Sequence, residues 1–379
     1  MSTRTSIICI WVCFTILLAL GITMVASTGQ CAIVTDGKSA DSFLYKQATF
    51  AVGGLIAALC LSRLDYHMYR NWVIGLWIIC VLALIGCYIP GIGKNLNGES
   101  RWLNLGLFTF QPSEAAKICL TLCLASWYTT HREMSGTFWK GFIIPGVIFG
   151  FPLALILFEK DMGTTAALAM TGFAVMWVSG VRWWLLVLAI LLGAIALYLM
   201  TIDSPNRMER IYAWKDAFAY RRQEGCQQWF AALAFARGGM FGVGLGDGIS
   251  KHGSMPFAHT DFIFPVVGEE LGIFGALGVV VLFSLMTLSG IILALQITDT
   301  FGRLFAVGLV NTIFWPAMLN MMVVTSILPN SGLPLPFISY GGTNLVFTIA
   351  AIGILTSIQR FTPTAQQMYI PLRRRSNPR

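Results

Sequence analysis

Ten stretches of this chain are apolar for about the length a helix needs to cross a bilayer, and few kinds of protein share that pattern. A spanning helix takes about 20 mainly apolar residues, because the hydrocarbon core is about 30 Å thick. The stretches lie at 6–27, 46–63, 71–89, 113–130, 138–158, 162–180, 182–200, 262–295, 301–326 and 342–360. Gly53 and Gly54 interrupt the second. The first lacks a small-residue cleavage site followed by a soluble domain, so it reads as a helix rather than a signal peptide. Charged residues make up 11% of the 379 and hydrophobic ones 56%, against about 25% charged in a soluble domain. Disorder, a coiled coil, a small disulfide scaffold and an ordinary cytosolic enzyme are excluded. The predicted fold class is all-α: a polytopic membrane protein with ten transmembrane helices and a long extracytoplasmic loop between the seventh and eighth.

The net charge of +8 reflects basic cytoplasmic loops, not a nucleic-acid partner. With the N-terminus inside, the inner loops carry Arg63, Arg70, Arg132, Lys140, Arg182 and Arg303. The tail adds Arg360, Arg373, Arg374, Arg375 and Arg379. The short outer loops carry Lys38, Lys46, Lys94, Arg101 and Lys160. Both termini therefore read as cytoplasmic, with the tail resting on anionic lipid. Residues 1–360 form one transmembrane domain, and 361–379 a basic cytoplasmic tail. The loop 201–261 has a charged first half and a glycine-rich second half, and Gln228–Phe235 is amphipathic enough to lie on the membrane surface. No internal repeat is visible, which weakens a transporter built on inverted repeats.

Most of the nine cysteines sit in apolar runs. Cys9/Cys13 and Cys119/Cys123 are one helical turn apart, which is packing geometry and not a zinc pattern. Only Cys31 and Cys226 fall in loops, and nothing in their spacing supports a disulfide.

The polar residues gather in four clusters, all on the outer side. The first is Glu99–Trp102, then Gln111-Pro112-Ser113-Glu114, then Lys117. It reads either as a capped helix start or as a basic phosphate site built by Arg101 and Lys117 and oriented by Glu114. In the second, Glu159-Lys160-Asp161, the aspartate is a candidate cap for the sixth helix. The third runs from the glycines at 238–246 through Lys251 and His259-Thr260-Asp261-Phe262 to Gly268-Glu269-Glu270-Leu271-Gly272. No strand precedes these glycines, so nucleotide-loop readings fail. Asp261 is either an N-cap of the eighth helix or a general base whose pKa desolvation raises, unless Lys251 or an arginine offsets it. The fourth, 329–343, is rich in proline and glycine. It reads as a rigid re-entrant loop lining a cavity.

Five motifs, in order, resemble the SEDS family (shape, elongation, division and sporulation). They are Gln-Pro-Ser-Glu at 111–114, Asp-x-Gly-Thr at 161–164, His-Thr-Asp-Phe-Ile-Phe at 259–264, Gly-Glu-Glu-Leu-Gly at 268–272 and Leu-Pro-Phe-Ile-Ser-Tyr-Gly-Gly at 335–342. They look more like the division branch, FtsW, than the elongation branch, RodA. Glu159-Lys160 stands where members have Gln-Pro, and Met255-Pro256-Phe257 where they have Leu-Pro-Glu. The resemblance implies an inverting peptidoglycan glycosyltransferase that polymerises lipid II on the outer face of the bacterial cytoplasmic membrane. Asp261 matches the essential aspartate. Arg101, Glu114, Lys117, Lys251, His259, Glu270 and Ser339 are the expected substrate-binding residues. No cofactor or metal-ligand cluster is indicated; any divalent cation, Mg or Mn, would be held mainly by substrate pyrophosphate. The expected partners are a class B penicillin-binding protein and divisome proteins. The rival reading is a lipid II flippase, which needs polar groups near the membrane midplane.

Overall fold

The computed structural model describes residues 2–36, 40–96, 99–104, 106, 109–202, 205–223, 225–251 and 259–362. The tail arginines from 373 on, Met255-Pro256-Phe257 and the Cys31 side chain, on which the disulfide question turns, lie outside the described residues.

The ten apolar stretches are all helical. They appear as α1 (Thr3–Asp36), α2 (Ala40–Leu61), α3 (His67–Gly86), α4 (Pro112–Thr130), α5 (Ile144–Phe158, preceded by a π-helical turn Phe138–Ile143), α6 (Met162–Val178) and α7 (Trp183–Ile202). After two further helices come α10 (Ile263–Gln296), α11 (Thr300–Val324) and α12 (Gly342–Phe361). Among the described residues, seven helical spans are long and apolar enough to cross a membrane. The apolar helix α6 and the stretch Trp183–Tyr198 of α7 are shorter than that, and α4 carries Glu114 and Lys117 in its first two turns. The observed boundaries differ from the expected ones by several residues, because apolar length alone does not mark where a helix begins.

Two expectations need correcting. The protein is not purely helical: β1 (Gly93–Leu96), β2 (Glu99–Asn104) and β3 (Thr109–Phe110) form an antiparallel three-stranded sheet between α3 and α4. Leu103 of β2 stands opposite both Gly93 and Phe110. The long loop is also not surface-bound throughout. It contains α8 (Pro205–Lys215) and α9 (Cys226–Gly238). In α9, Ala231 and Ala234 are buried, and the Gln228 amide donates to the carbonyls of Val323 and Leu328 at 3.4 and 3.0 Å. An amide that finds carbonyl partners at the end of α11 is satisfied inside the protein, so α9 docks there rather than on lipid.

Close packing uses small residues. α2 and α12 meet where a Cβ on Gly353 would come 2.5 Å from the Cα and carbonyl oxygen of Ala58. Without a hydrophobic force between helices in lipid, such close approach is what van der Waals attraction needs. The loop before α12 enters the core through Phe337, which packs edge-on to Phe14 of α1 and parallel to Phe283 of α10. Its φ of +66° is a strained value that this burial maintains.

Gly353→Val should lower the thermal stability of the detergent-solubilised protein by about 1–3 kcal/mol through overpacking. Gly53→Ala, whose Cβ meets nothing within 4 Å, should be neutral or mildly stabilising. Equal melting temperatures for the two variants would show that α2 and α12 do not pack this tightly.

Candidate functional site

The first turns of four helices are tied together at one end of the bundle. The Thr343 hydroxyl at the start of α12 donates to the carbonyl of Thr109, just before α4, at 3.3 Å. Arg101 on β2 donates to the carbonyl of Lys160, before α6, at 2.7 Å. Ser339, before α12, donates to the carbonyl of Thr260, before α10, at 2.5 Å. The N-termini of α4, α6, α10 and α12 therefore face one region, and their dipoles add a positive potential there.

Asp261 stands in that region, in the turn before α10. The N-cap of α10 is Phe262 and no side chain caps it, so the capping alternative for Asp261 fails. Asp161, by contrast, does cap α6, accepting from the Thr164 amide at 3.0 Å. Three bonds hold the Asp261 segment. Thr260 donates its hydroxyl to Asp261 Oδ1 at 2.6 Å. The Asn320 amide of α11 donates both to the Asp261 carbonyl at 2.7 Å and to the Leu333 carbonyl at 2.6 Å. Ser339 fixes the Thr260 carbonyl from the other side and also accepts from the Leu335 amide at 2.7 Å. Gly332 (φ +67°) passes beside the carboxylate, and a Cβ there would lie 3.8 Å from Oδ2.

Asp261 as a whole residue is half-buried, and its carboxyl group sits deep among neighbouring atoms. Desolvation by burial therefore holds its pKa above the usual carboxylate range. The Thr260 hydrogen bond, a backbone bond and the charges of His259 and Arg101 pull the other way without cancelling it. His259 forms a three-ring cluster with Phe43 and Tyr340, with centroids 5.1 to 5.9 Å apart.

Glu114 and Lys117 pair as their spacing suggests, with both carboxylate oxygens 2.8 and 2.9 Å from Nζ. A cavity of about 10 Å³ adjoins them, walled by Thr312 and Thr348. A larger apolar cavity of about 290 Å³ opens between α2, α3, α4 and α12, lined by Leu61, Ile79, Phe110, Pro112 and Phe347 among others.

Lys251 and Glu270 do not line an open wall. Lys251 Nζ donates to Glu270 Oε1 at 2.7 Å, Ser27 Oγ at 2.6 Å and the Gly246 carbonyl at 2.6 Å. An ammonium has three protons, so none is left for a phosphate. Glu270 also accepts from Ser27 and the Gly246 amide. Its neighbour Glu269 takes the amides of Ile249 and Ser250. Lys251 and Glu270, both expected to bind substrate, satisfy each other's charges in a clasp that holds the glycine-rich loop to α10. Sequence reasoning missed Asn320 and Gln47, whose amide donates to the Ser339 carbonyl at 3.2 Å. The available signal was an amide inside an apolar helix.

A family model described as "Cell cycle protein", covering FtsW, RodA and SpoVE, matches residues 7–364. The chain belongs to the FtsW/RodA/SpoVE family. A "Probable peptidoglycan glycosyltransferase FtsW" from Geobacter metallireducens is 35% identical over 342 residues, covering 90% of this chain and 91% of that protein. The "Stage V sporulation protein E" of Bacillus subtilis is 33% identical over 350 residues, covering 92% and 95%. Among solved structures, a chain of a peptidoglycan synthase complex superimposes with a TM-score of 0.73 at 26% identity, covering 93% of this chain and 96% of that one. The rod shape determining protein RodA of Thermus thermophilus gives 0.69 at 25% identity, covering 93% and 95%. This family member thus has the RodA-like helical fold.

Lys251→Met strands the buried Glu270 carboxylate and should cost about 3–5 kcal/mol of unfolding free energy. Lys251→Met/Glu270→Leu should recover most of it. An equal loss in the single and double variants, read by thermal unfolding in detergent, would rule out the clasp.

Proposed function

We propose that this protein is a peptidoglycan glycosyltransferase that polymerises lipid II on the outer face of the bacterial cytoplasmic membrane, in septal synthesis. Its ten apolar helices, the shorter ones included, span the membrane with both termini in the cytoplasm, as the arginines of the inner loops favour. Residues 1–360 act as one domain. The observation that carries the reading is the placement of Asp261: a carboxyl with a raised pKa, held by Thr260 and Asn320 where four helix N-termini meet.

In the proposed reaction, Asp261 accepts the proton of the acceptor sugar's 4-hydroxyl as that oxygen attacks the anomeric carbon of the donor. One displacement inverts the configuration, by the logic of a single base-activated nucleophile. The leaving group is undecaprenyl pyrophosphate. Its developing charge meets Arg101 and the converging helix dipoles, which are fixed before the reaction and need no reorganisation. Glu114 and Lys117 border the region from α4. His259 and Tyr340 offer ring faces to a sugar. The apolar cavity beside Pro112 suits part of a prenyl chain. A divalent cation, Mg or Mn, would enter on the pyrophosphate oxygens.

A lipid II flippase remains the contrasting class. It would need charged groups reachable from both sides, whereas Arg101, Asp161 and Asp261 cluster at one end. By likeness to the peptidoglycan synthase complex, a class B penicillin-binding protein is the proposed partner, within the divisome.

Asp261→Asn keeps the Thr260 contact and removes the base. Purified Asp261→Asn should lose about 10²- to 10⁴-fold in lipid II polymerisation with an unchanged melting temperature. Wild-type activity should fall on acidification, as Asp261 is protonated, at a pH above its ordinary value of 3.8. Near-normal chain growth by Asp261→Asn would remove Asp261 from the mechanism.

A further inference from the structure

Glu159 follows the last residue of α5 and is buried, and neither of its carboxylate oxygens has a hydrogen-bond partner of normal geometry. A buried carboxylate without partners is costly, so the position calls for an explanation. Its surroundings are specific. Arg101 reaches across from β2: Nε lies 3.5 Å from the Glu159 carbonyl, Nη2 2.7 Å from the Lys160 carbonyl, and Nη1 4.0 Å from Asp161 Oδ1. Arg101 is thus anchored by backbone, with two acidic side chains nearby. Asp161 is committed to capping α6; Glu159 is committed to nothing. The corner is strained as well, since Lys160 sits at φ +66°, so the backbone is held in place around this arginine.

We propose that Glu159 is a positioning residue that acts through Arg101: neutral, it adds nothing to the acidic charge that Asp161 already sets against the guanidinium; ionised, it adds a second such charge, weakens the field that Arg101 offers the pyrophosphate and Asp261, and slows the reaction. This rests on the glycosyl-transfer reading above.

The groups that face Glu159 set where the change occurs. From β2 comes Arg101, which favours ionisation. From the α5–α6 corner comes Asp161, which opposes it. From α3 and the residues after it come Cys80, Cys87 and Tyr88; only the Cys87 thiol approaches closely enough to favour the charged form. Burial outweighs them, and the Glu159 pKa is pushed up to about 8. The sign follows. Below that value Glu159 is neutral and sets no charge against Arg101. Above it, Glu159 is anionic and offsets the Arg101 charge. The same charge lowers the pKa of Asp261, so the two carboxyls are coupled through one guanidinium. Activity is then bell-shaped, with an acid limb from Asp261 and an alkaline limb from Glu159.

The test is lipid II polymerisation by the purified full chain across pH, for wild type and the isosteric Glu159→Gln. Wild-type kcat/KM should fall about tenfold between pH 8 and pH 9.5. Glu159→Gln should stay flat over that range. The acid limb should have the same midpoint in both, because Glu159 is already neutral there. An alkaline limb with the same midpoint in both proteins overturns the proposal and leaves Asp261 in place. So does a folded Glu159→Gln that is inactive at every pH. Active Asp261→Asn instead removes the underlying reaction. If Glu159→Gln does not fold, infrared titration of the wild type decides. A protonated carboxyl band lost near pH 8 supports the proposal, and no carboxyl titrating there overturns it.

Discussion

A chain that lives in lipid must satisfy its backbone internally, and the break in α10 is where this constraint shapes the rest of the molecule. Gly272 (φ +68°) interrupts the helical ladder. The Glu269 and Glu270 carbonyls, which would otherwise accept from the next turn, instead take the amides of Val243 and Gly244 at 3.0 and 3.1 Å. The Ile273 amide donates to Gly239 at 3.0 Å. The glycine-rich segment thus slots into the opened helix like a short strand and takes up these freed backbone groups. Only glycine fits: a Cβ on Gly272 would overlap the Gly242 amide and the Met240 carbonyl, and one on Gly268 would overlap the Phe235 ring. The 24 residues beyond the break still measure about 36 Å at 1.5 Å per residue, enough to cross the hydrocarbon.

The side chains of the same glutamates complete the joint. Glu269 gathers loop amides and Glu270 pairs with Lys251, so two buried carboxylates are satisfied by one lysine, two serine hydroxyls (Ser27 of α1 and Ser250 of the loop) and a run of backbone N–H groups. Buried pairs of this kind add little net stability, but they specify one arrangement, because losing a partner is costly. Here the arrangement fixes the first turns of α10 and, two residues before its start, Asp261. The second irregular segment, 328–341, is held by the same means: Asn320, Gln47 and Ser339 bond its carbonyls and amides, and Phe337 anchors it between α1 and α10. With the backbone carbonyls of Thr260 and Asp261 bonded from two sides and the carboxylate accepting from Thr260, Asp261 keeps its geometry without a wall of its own.

Much of the fold was legible in the chain. All ten apolar stretches are helices, because burying or lipid-exposing about twenty residues is a local requirement written in composition. The sheet was not legible: strands of four, six and two residues carry no alternation long enough to read, and only pairing defines them. α9 was read as surface-bound because its polar Gln228 and Gln227 look solvent-facing in isolation, whereas Gln228 is buried against the end of α11.

At the candidate site, residue types drew attention to Asp261, Arg101, Glu114 and Lys117, since ionisable groups bordering apolar helices are costly unless used, while His259 and Ser339 were picked out by the motifs they belong to. The three-residue spacing of Glu114 and Lys117 even gave their pairing. What the chain alone could not tell is which charges face each other across long separations. Lys251 with Glu270, Arg101 with the Glu159–Asp161 corner and Asn320 with Asp261 are contacts between elements distant in sequence, and only packing brings them within 3 to 4 Å. Helices are set by neighbours along the chain, and electrostatic partnership by neighbours in space. The first is therefore written in order and composition, and the second appears only when the bundle closes.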